Sequence, residues 1–403
     1  MLDNEKVEPL EELEEGVAEE DLIEKRKKPK NNNLKLMNPK ILTLIILNIF
    51  ILPIIFFIYA FYSKTTQKIQ YELSTKSTEN NKLKQFDLKL QHTIVNPKEE
   101  SETKKFSTES IAQFPNGNII SADWISIYIY DINFNLIQKL NLYEIVDQRQ
   151  YWKTQKRIYK ISIKDDNNFL IYSNDGMMKL YSKEKEGFEL KQEFKDIEVV
   201  DAIFDKEGKI IACVRNNLIK VLKKDEKGIY KSIKSLTQAD AFHLTLFENK
   251  NILFSTEIAS MQFYDISQNY KLLETVKERS IHDPEKFGDD KVIVYHNNSL
   301  KIISINEHNV IKTIKIGFEA YSIKYYEEKG IILVGGIDKN NDKSVLYILN
   351  SDNFEIIKTI SDIHGTCVKG IYILKNGLIT TFGEDPKEDY PIKIWSLEYF
   401  YSA

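Results

Sequence analysis

Cysteine is nearly absent: Cys213 and Cys367 are the only two in 403 residues, and neither belongs to a CxxC pair. That excludes a disulfide framework and a thiolate metal centre, and the plain reading is two small buried apolar side chains. Histidine is scarce too. His92, His243, His282, His296, His308 and His364 are scattered, no two at a metal-ligand spacing, so neither a metal nor a cofactor is expected. The 15 glycines form no GxGxxG, and GxxxxGK[ST], GxSxG and HExxH are all missing, so no catalytic residue is assigned. An excess of one charge is missing as well: 56 basic residues face 60 acidic ones, which gives no whole-chain case for nucleic acid. The 42% hydrophobic and 11% aromatic content does suffice for a sizeable core.

Charge is segregated locally. Residues 1–24 are dominated by Glu and Asp and read as an acidic disordered tail; its EEDLI, 19–23, has an acidic-dileucine look but lacks the acidic residue four positions before Leu22. The sign then flips. Residues 25–40 carry Lys25, Arg26, Lys27, Lys28, Lys30, Lys35 and Lys40 immediately before ILTLIILNIFILPIIFFIYAFY, Ile41–Tyr62. About 22 residues at ~1.5 Å each span ~33 Å, enough for a ~30 Å hydrocarbon core, so a single transmembrane α-helix is expected there. Asn48 and Pro53 are tolerable in such a helix, and Tyr59, Phe61 and Tyr62 suit an interface. The basic cluster places the N-terminus in the cytosol and everything after the helix on the lumenal or extracellular side, a type II signal anchor. Two features lean the other way: a single N-glycosylation sequon, Asn297-Asn298-Ser299, and no plausible disulfide. Residues 63–84, with mixed charge and no Pro or Gly, form a stalk.

Beyond residue 85 the chain repeats itself. Units begin at Asn116, Asp166, Glu207, Asn249, Asp289, Glu328 and Lys375, each a polar turn, a β-rich strand, a second polar turn and another strand. The spacing of roughly 40–50 residues is that of propeller blades. Inner-strand candidates precede the units (SIAQF, YKISIK, VVDAIF, FHLTLF, YSIKYY, VKGIYIL), and outer ones follow them (LIQKLNL, FELKQEF, IYKSIKSL, YKLLETV, VIKTIKI, FEIIKTI). The last unit lacks its outer strand. QFDLKLQHTIV, 85–95, alternates apolar with polar and is the natural donor, which would remove the free sheet edges. The expected fold is all-β: a seven-bladed β-propeller over 85–403, its last blade closed by the N-terminal strand, preceded by the transmembrane helix.

Here the sequence resembles the WD-repeat family. The last repeat carries the likeness through His364, Val368, Gly377, Leu378, Thr381, Asp385 and IKIW at 392–395, and SADWISIYIYD at 121–131 follows it loosely. The resemblance implies a structural hydrogen-bonded tetrad of His364, Thr381, Asp385 and Trp395, with Asp389 competing for the place of Asp385. It also implies that the turns between second and third strands share one docking face with the connections between blades.

On that face the longest departure from the period is 141–160, NLYEIVDQRQYWKTQKRIYK, where Tyr143, Arg149, Tyr151, Trp152, Lys153, Lys156 and Arg157 are either partner anchors or a short helix with a solvated basic face. Trp124 is either a binding anchor or the cap of an inter-blade core. Asp175, Arg215, His296, Asp338 and the turn Glu384–Tyr390 share the face. The leading reading is a membrane-anchored scaffold for an unidentified protein partner. The alternatives are an endomembrane regulator of a small GTPase, of exchange-factor type, and an enzyme built on carboxylates around the channel.

Overall fold

The computed structural model describes residues 84–97, 107–142 and 157–401, apart from 216–217, 238–240, 258–259, 279, 281–282 and 386–389. The expected helix at Ile41–Tyr62, the acidic tail, the basic segment and all but the last residue of the stalk lie outside them. Among the described residues no helix is long and apolar enough to cross a membrane.

The described chain forms seven four-stranded antiparallel sheets, each a blade of a β-propeller. The strand segments picked from the sequence fall on observed strands. Inner strands are Ser110–Gln113, Ile158–Asp165, Val199–Phe204, Ala241–Phe247, Glu285–Lys286, Glu319–Tyr326 and Cys367–Ile373. The fifth, for which the repeats offer no candidate, is only two residues long. First strands of neighbouring blades pack on one another, and the seventh packs on the first, while the fourth and fifth blades meet through a shared apolar cluster, so the sheets form a closed ring.

Alternation along each strand builds the core. In the fifth blade Val292 and Val294 join Phe247, Phe254 and Phe263 of the fourth, whereas Ile293 and Tyr295 join Ala320, Val334 and Leu349 of the sixth. Successive residues thus enter opposite seams. The same rule gives one apolar cluster in each of the seven seams. Strands buried on both faces read as nearly continuous apolar runs such as IIACV.

The closing strand is where the sequence places it. Lys84–Ile94 pairs antiparallel with Ile392–Tyr401, from Lys84 opposite Tyr401 to Ile94 opposite Ile392. The adjoining strand Ile379–Glu384 pairs only as far as Trp395. Beyond that point Ser396–Tyr401 and Lys84–Lys89 form a two-stranded ribbon. It lies against the sixth blade, where Phe86 is buried with Leu346 and Ile348 and is flanked by Leu88, Ile357, Ile360 and Leu397. The chain therefore enters the ring at the end opposite the turns between second and third strands.

Candidate functional site

Five inner strands carry a β-bulge at the equivalent place, between Ile158 and Lys160, Val199 and Asp201, Ala241 and His243, Ala320 and Ser322, and Val368 and Gly370. A bulge adds one residue to one strand and re-aims its neighbours. The positions that follow the bulges, together with Ser110 of the first blade, clasp adjacent blades. Ser110 Oγ accepts from Ile161 N–H at 3.2 Å, Asp201 Oδ2 from Leu244 N–H at 2.9 Å, and Ser322 Oγ from Ile371 N–H at 3.0 Å. Each donor is the residue just after the equivalent position in the next blade.

Around Asp201 these positions converge on a polar cluster that the sequence does not announce. The fully buried Asp201 carboxylate accepts a hydrogen bond from the Tyr172 hydroxyl and lies 3.5 Å from Lys160 Nζ. Lys160 Nζ is also 3.0 Å from Asp283 Oδ2, and His243 Nδ1 sits 2.6 Å from Asp283 Oδ1 and 3.9 Å from Asp201 Oδ2. Burial would lower the Lys160 pKa, but Asp201 and Asp283 outweigh it and raise the ammonium above its ordinary value. Asp283 loses part of its hydration, although its side chain is 53% exposed, yet Lys160 and His243 hold its carboxyl well below the usual range. Burial, then the Asp201 charge, pushes the Tyr172 phenol well up, so it stays a donor. A second pair completes the inner wall: Lys324 Nζ is 2.5 Å from Glu285 Oε2, while Glu285 Oε1 accepts from Tyr325 N–H at 3.2 Å.

Asp201, His243 and Asp283 each offer a ligand atom, all within 4.8 Å of one another. Two carboxylates and an imidazole suit a divalent cation in kind. The Lys160 ammonium already supplies positive charge to both carboxylates, and Asp201 has the Tyr172 and Leu244 hydrogen bonds besides. The cluster is internally compensated, which is the condition under which buried charges are tolerated. One residue per blade, forty residues apart, makes no local motif. The detectable signal is a polar residue inside an apolar inner strand, in register across repeats: Ser110, Lys160, Asp201, His243, Ser322.

The second polar region lies on the face of the turns between second and third strands. Trp124 Nε1 donates to Glu109 Oε1 at 2.8 Å, and Lys369 Nζ bridges Glu109 at 3.2 Å and Glu384 at 2.9 Å. Trp124 is thus fixed in the seam between seventh and first blades. Ile158 N–H donates to Trp124 O at 3.2 Å and Asn174 N–H to Arg157 O at 3.1 Å. Arg215 donates to Asn174 O at 2.6 Å and lies 3.5 Å from Glu198. Trp124, Arg157 and Arg215 thereby share one strip over the first three blades. Asp338 does not join them: it caps its own hairpin turn, accepting from Asn340 N–H at 3.0 Å and Asn341 Nδ2 at 2.9 Å. Arg149, Tyr151 and Trp152 lie outside the described residues. Asn297 occupies a two-residue hairpin turn with Asn298, both left-handed at φ 49° and 55°, and its side chain is exposed.

Of the four tetrad residues, three are joined. His364 Nε2 is 3.0 Å from Thr381 Oγ1, and Trp395 Nε1 donates to the same oxygen at 2.9 Å. Asp385 instead lies 3.8 Å from Lys393 Nζ, and the buried Nδ1 of His364 has no hydrogen-bond partner. Asp389 lies outside the described residues.

No known protein family and no curated protein matches this chain.

Proposed function

We propose that the chain is a single-pass membrane protein of WD-repeat type, anchored through Ile41–Tyr62 with a cytosolic N-terminus, whose ring docks a protein partner on the lumenal or extracellular side without catalysis. The observation that carries the docking reading is the contrast between the two polar regions. Acids and lysines inside the ring satisfy one another, whereas the turn face sets Trp124, Arg157 and Arg215 in a row beside the exposed Tyr159. Trp, Tyr and Arg dominate interface hot spots, and a closed ring presents many loops at once without moving. Support for the WD-repeat assignment is the hydrogen bonding of His364, Thr381 and Trp395. Support for the anchor is the uncharged run behind seven basic residues.

Replacing Tyr151 and Trp152 together with Ala should abolish recovery of cross-linked partners while the protein still folds and inserts. Unchanged partners would remove that loop as the docking site. Sidedness is tested separately at Asn297. A glycan that disappears in Asn297→Gln is expected for a lumenal ring. An unmodified Asn297, with a C-terminal tag open to protease on intact microsomes, would reverse the orientation and bring forward the small-GTPase regulator. The enzyme reading has one observation in its favour, the convergence of Asp201, His243 and Asp283. Stoichiometric zinc in the purified chain would advance it.

A further inference from the structure

Among the described residues of the turn face, Arg157 is a cation without an ion pair, its charge felt only at longer range by Glu384. Its backbone is fixed by two hydrogen bonds with Asn174, at 2.8 and 3.1 Å, so the position does not depend on the side chain. The guanidinium lies 6.0 Å from the Trp124 ring and 5.7 Å from the Tyr159 ring. Its Nε is buried without a hydrogen-bond partner, and among the described residues no carboxylate forms an ion pair with it. Its neighbours differ. Arg215 is bonded to Asn174 and paired with Glu198, and Lys369 bridges two glutamates.

A guanidinium between aromatic faces is held in orientation and partly dehydrated, the state in which its planar fork binds an oxyanion best. Tyr159 is 46% exposed, so the surroundings of the guanidinium are open on that side. The anion must carry a single charge. Glu109, bonded to Trp124, and Glu384 lie nearby, and the Glu384 carboxyl, pushed up by burial, is brought below its usual range by Lys369 with help from Arg157. A dianionic phosphate would meet those two glutamates, and among the described residues Arg157 is the one cation there without an ion pair to hold it. A lipid surface or a nucleic acid would need several. We infer that Arg157, framed by Trp124 and Tyr159, is the recognition point for an acidic side chain, Asp or Glu, in an extended segment of the partner protein. This rests on the docking reading and names the chemistry of that same face.

The test is peptide selection on the full-length chain in mild detergent, from a randomised twelve-residue library, followed by affinity measurement of a selected peptide in its Glu, Gln and phosphoserine forms. Selected peptides should share an acidic position. Its change to Gln should weaken binding roughly tenfold or more, Arg157→Gln should cause the same loss, and the two changes together should add little, as expected when both remove one charge-assisted contact. Arg157→Glu should restore binding to the Lys form of the peptide. Peptides with no acidic preference, or bound equally by Arg157→Gln, would overturn the inference and leave the docking reading standing. Tighter binding of the phosphoserine form would overturn the choice of a carboxylate. No retained peptide at all would overturn both. Unchanged thermal unfolding of the variants separates lost recognition from lost fold.

Discussion

The seventh blade and the wall made by the second to fifth blades hold the same ring by different means. At the seventh blade a strand from the far end of the domain adds a backbone ladder, and buried Phe86 and Ile94 secure it on either side. At the opposite wall the fourth and fifth blades meet across a two-residue inner strand. There the missing ladder is offset by side chains: His243 to Asp283, Lys160 to both acids, Lys286 5.5 Å from the Phe247 ring. Ladder hydrogen bonds are indifferent to pH and to residue identity, whereas a charged clasp depends on both.

The ladder should therefore show the largest effect. Deleting 84–94 removes every pair of the closing strand and exposes the edge of Ile392–Tyr401. Cooperative thermal unfolding is expected to disappear. Phe86→Ala, which leaves the ladder but empties a buried site, should cost about 3–5 kcal/mol. A truncated ring that still unfolds cooperatively would mean that the other six seams suffice.

The charged wall comes next. Asp201→Ala leaves Lys160, the Tyr172 hydroxyl and Leu244 N–H facing an apolar methyl, and should cost about 3–5 kcal/mol in urea unfolding, as for other buried charges deprived of a partner. Asp201→Asn with Lys160→Met removes both charges and keeps an acceptor for Leu244, and should recover most of the loss. If the double variant is as unstable as Asp201→Ala, the ion pair stabilises the ring in its own right.

How much of this could be read from the chain follows from how each region is encoded. The ladder strand alternates and sits next to the first repeat, and the outer strands follow polar turns at a regular spacing. Local signals of that kind survive in a single sequence. The two-residue strand Glu285–Lys286 follows Pro284 and has no apolar run, so no period marks it. The cluster at Asp201 is assembled from residues in four blades, and nothing near any one of them shows that the ring will bring it to the others. Trp124 was legible as one of two things. Its bond to Glu109 makes it a fixed member of the blade seam, and the docking proposal therefore turns to the neighbouring arginine.

Acid should act on the seventh blade through His364. Burial, then the Lys393 charge, pushes His364 down to about 3. A depressed histidine is neutral in the folded ring and protonated in the unfolded chain between its ordinary ~6.5 and that value, so stability falls as pH drops through this window. Between pH 7.5 and 4.5 the loss should be about 2–3 kcal/mol. His364→Gln, neutral throughout, should flatten that slope. Asp283 works lower: its depressed carboxyl contributes stability above its unfolded pKa of ~3.8, and this is lost only as pH falls toward the folded value. A slope unchanged in His364→Gln would assign the acid sensitivity elsewhere.

The smallest effect calibrates the comparison. Ser110 and Ser322 occupy the slot of Asp201 and accept the same kind of inter-blade N–H, but neither carries charge. Ser110→Ala and Ser322→Ala should each cost about 1 kcal/mol, the worth of a neutral hydrogen bond whose donor loses its acceptor. The difference between that figure and the cost of Asp201→Ala measures what the Lys160 and Tyr172 contacts add at one wall of the ring. Were all three substitutions equal, the N–H clasp would be the whole function of the slot, and the charges around Asp201 would be free to serve a ligand.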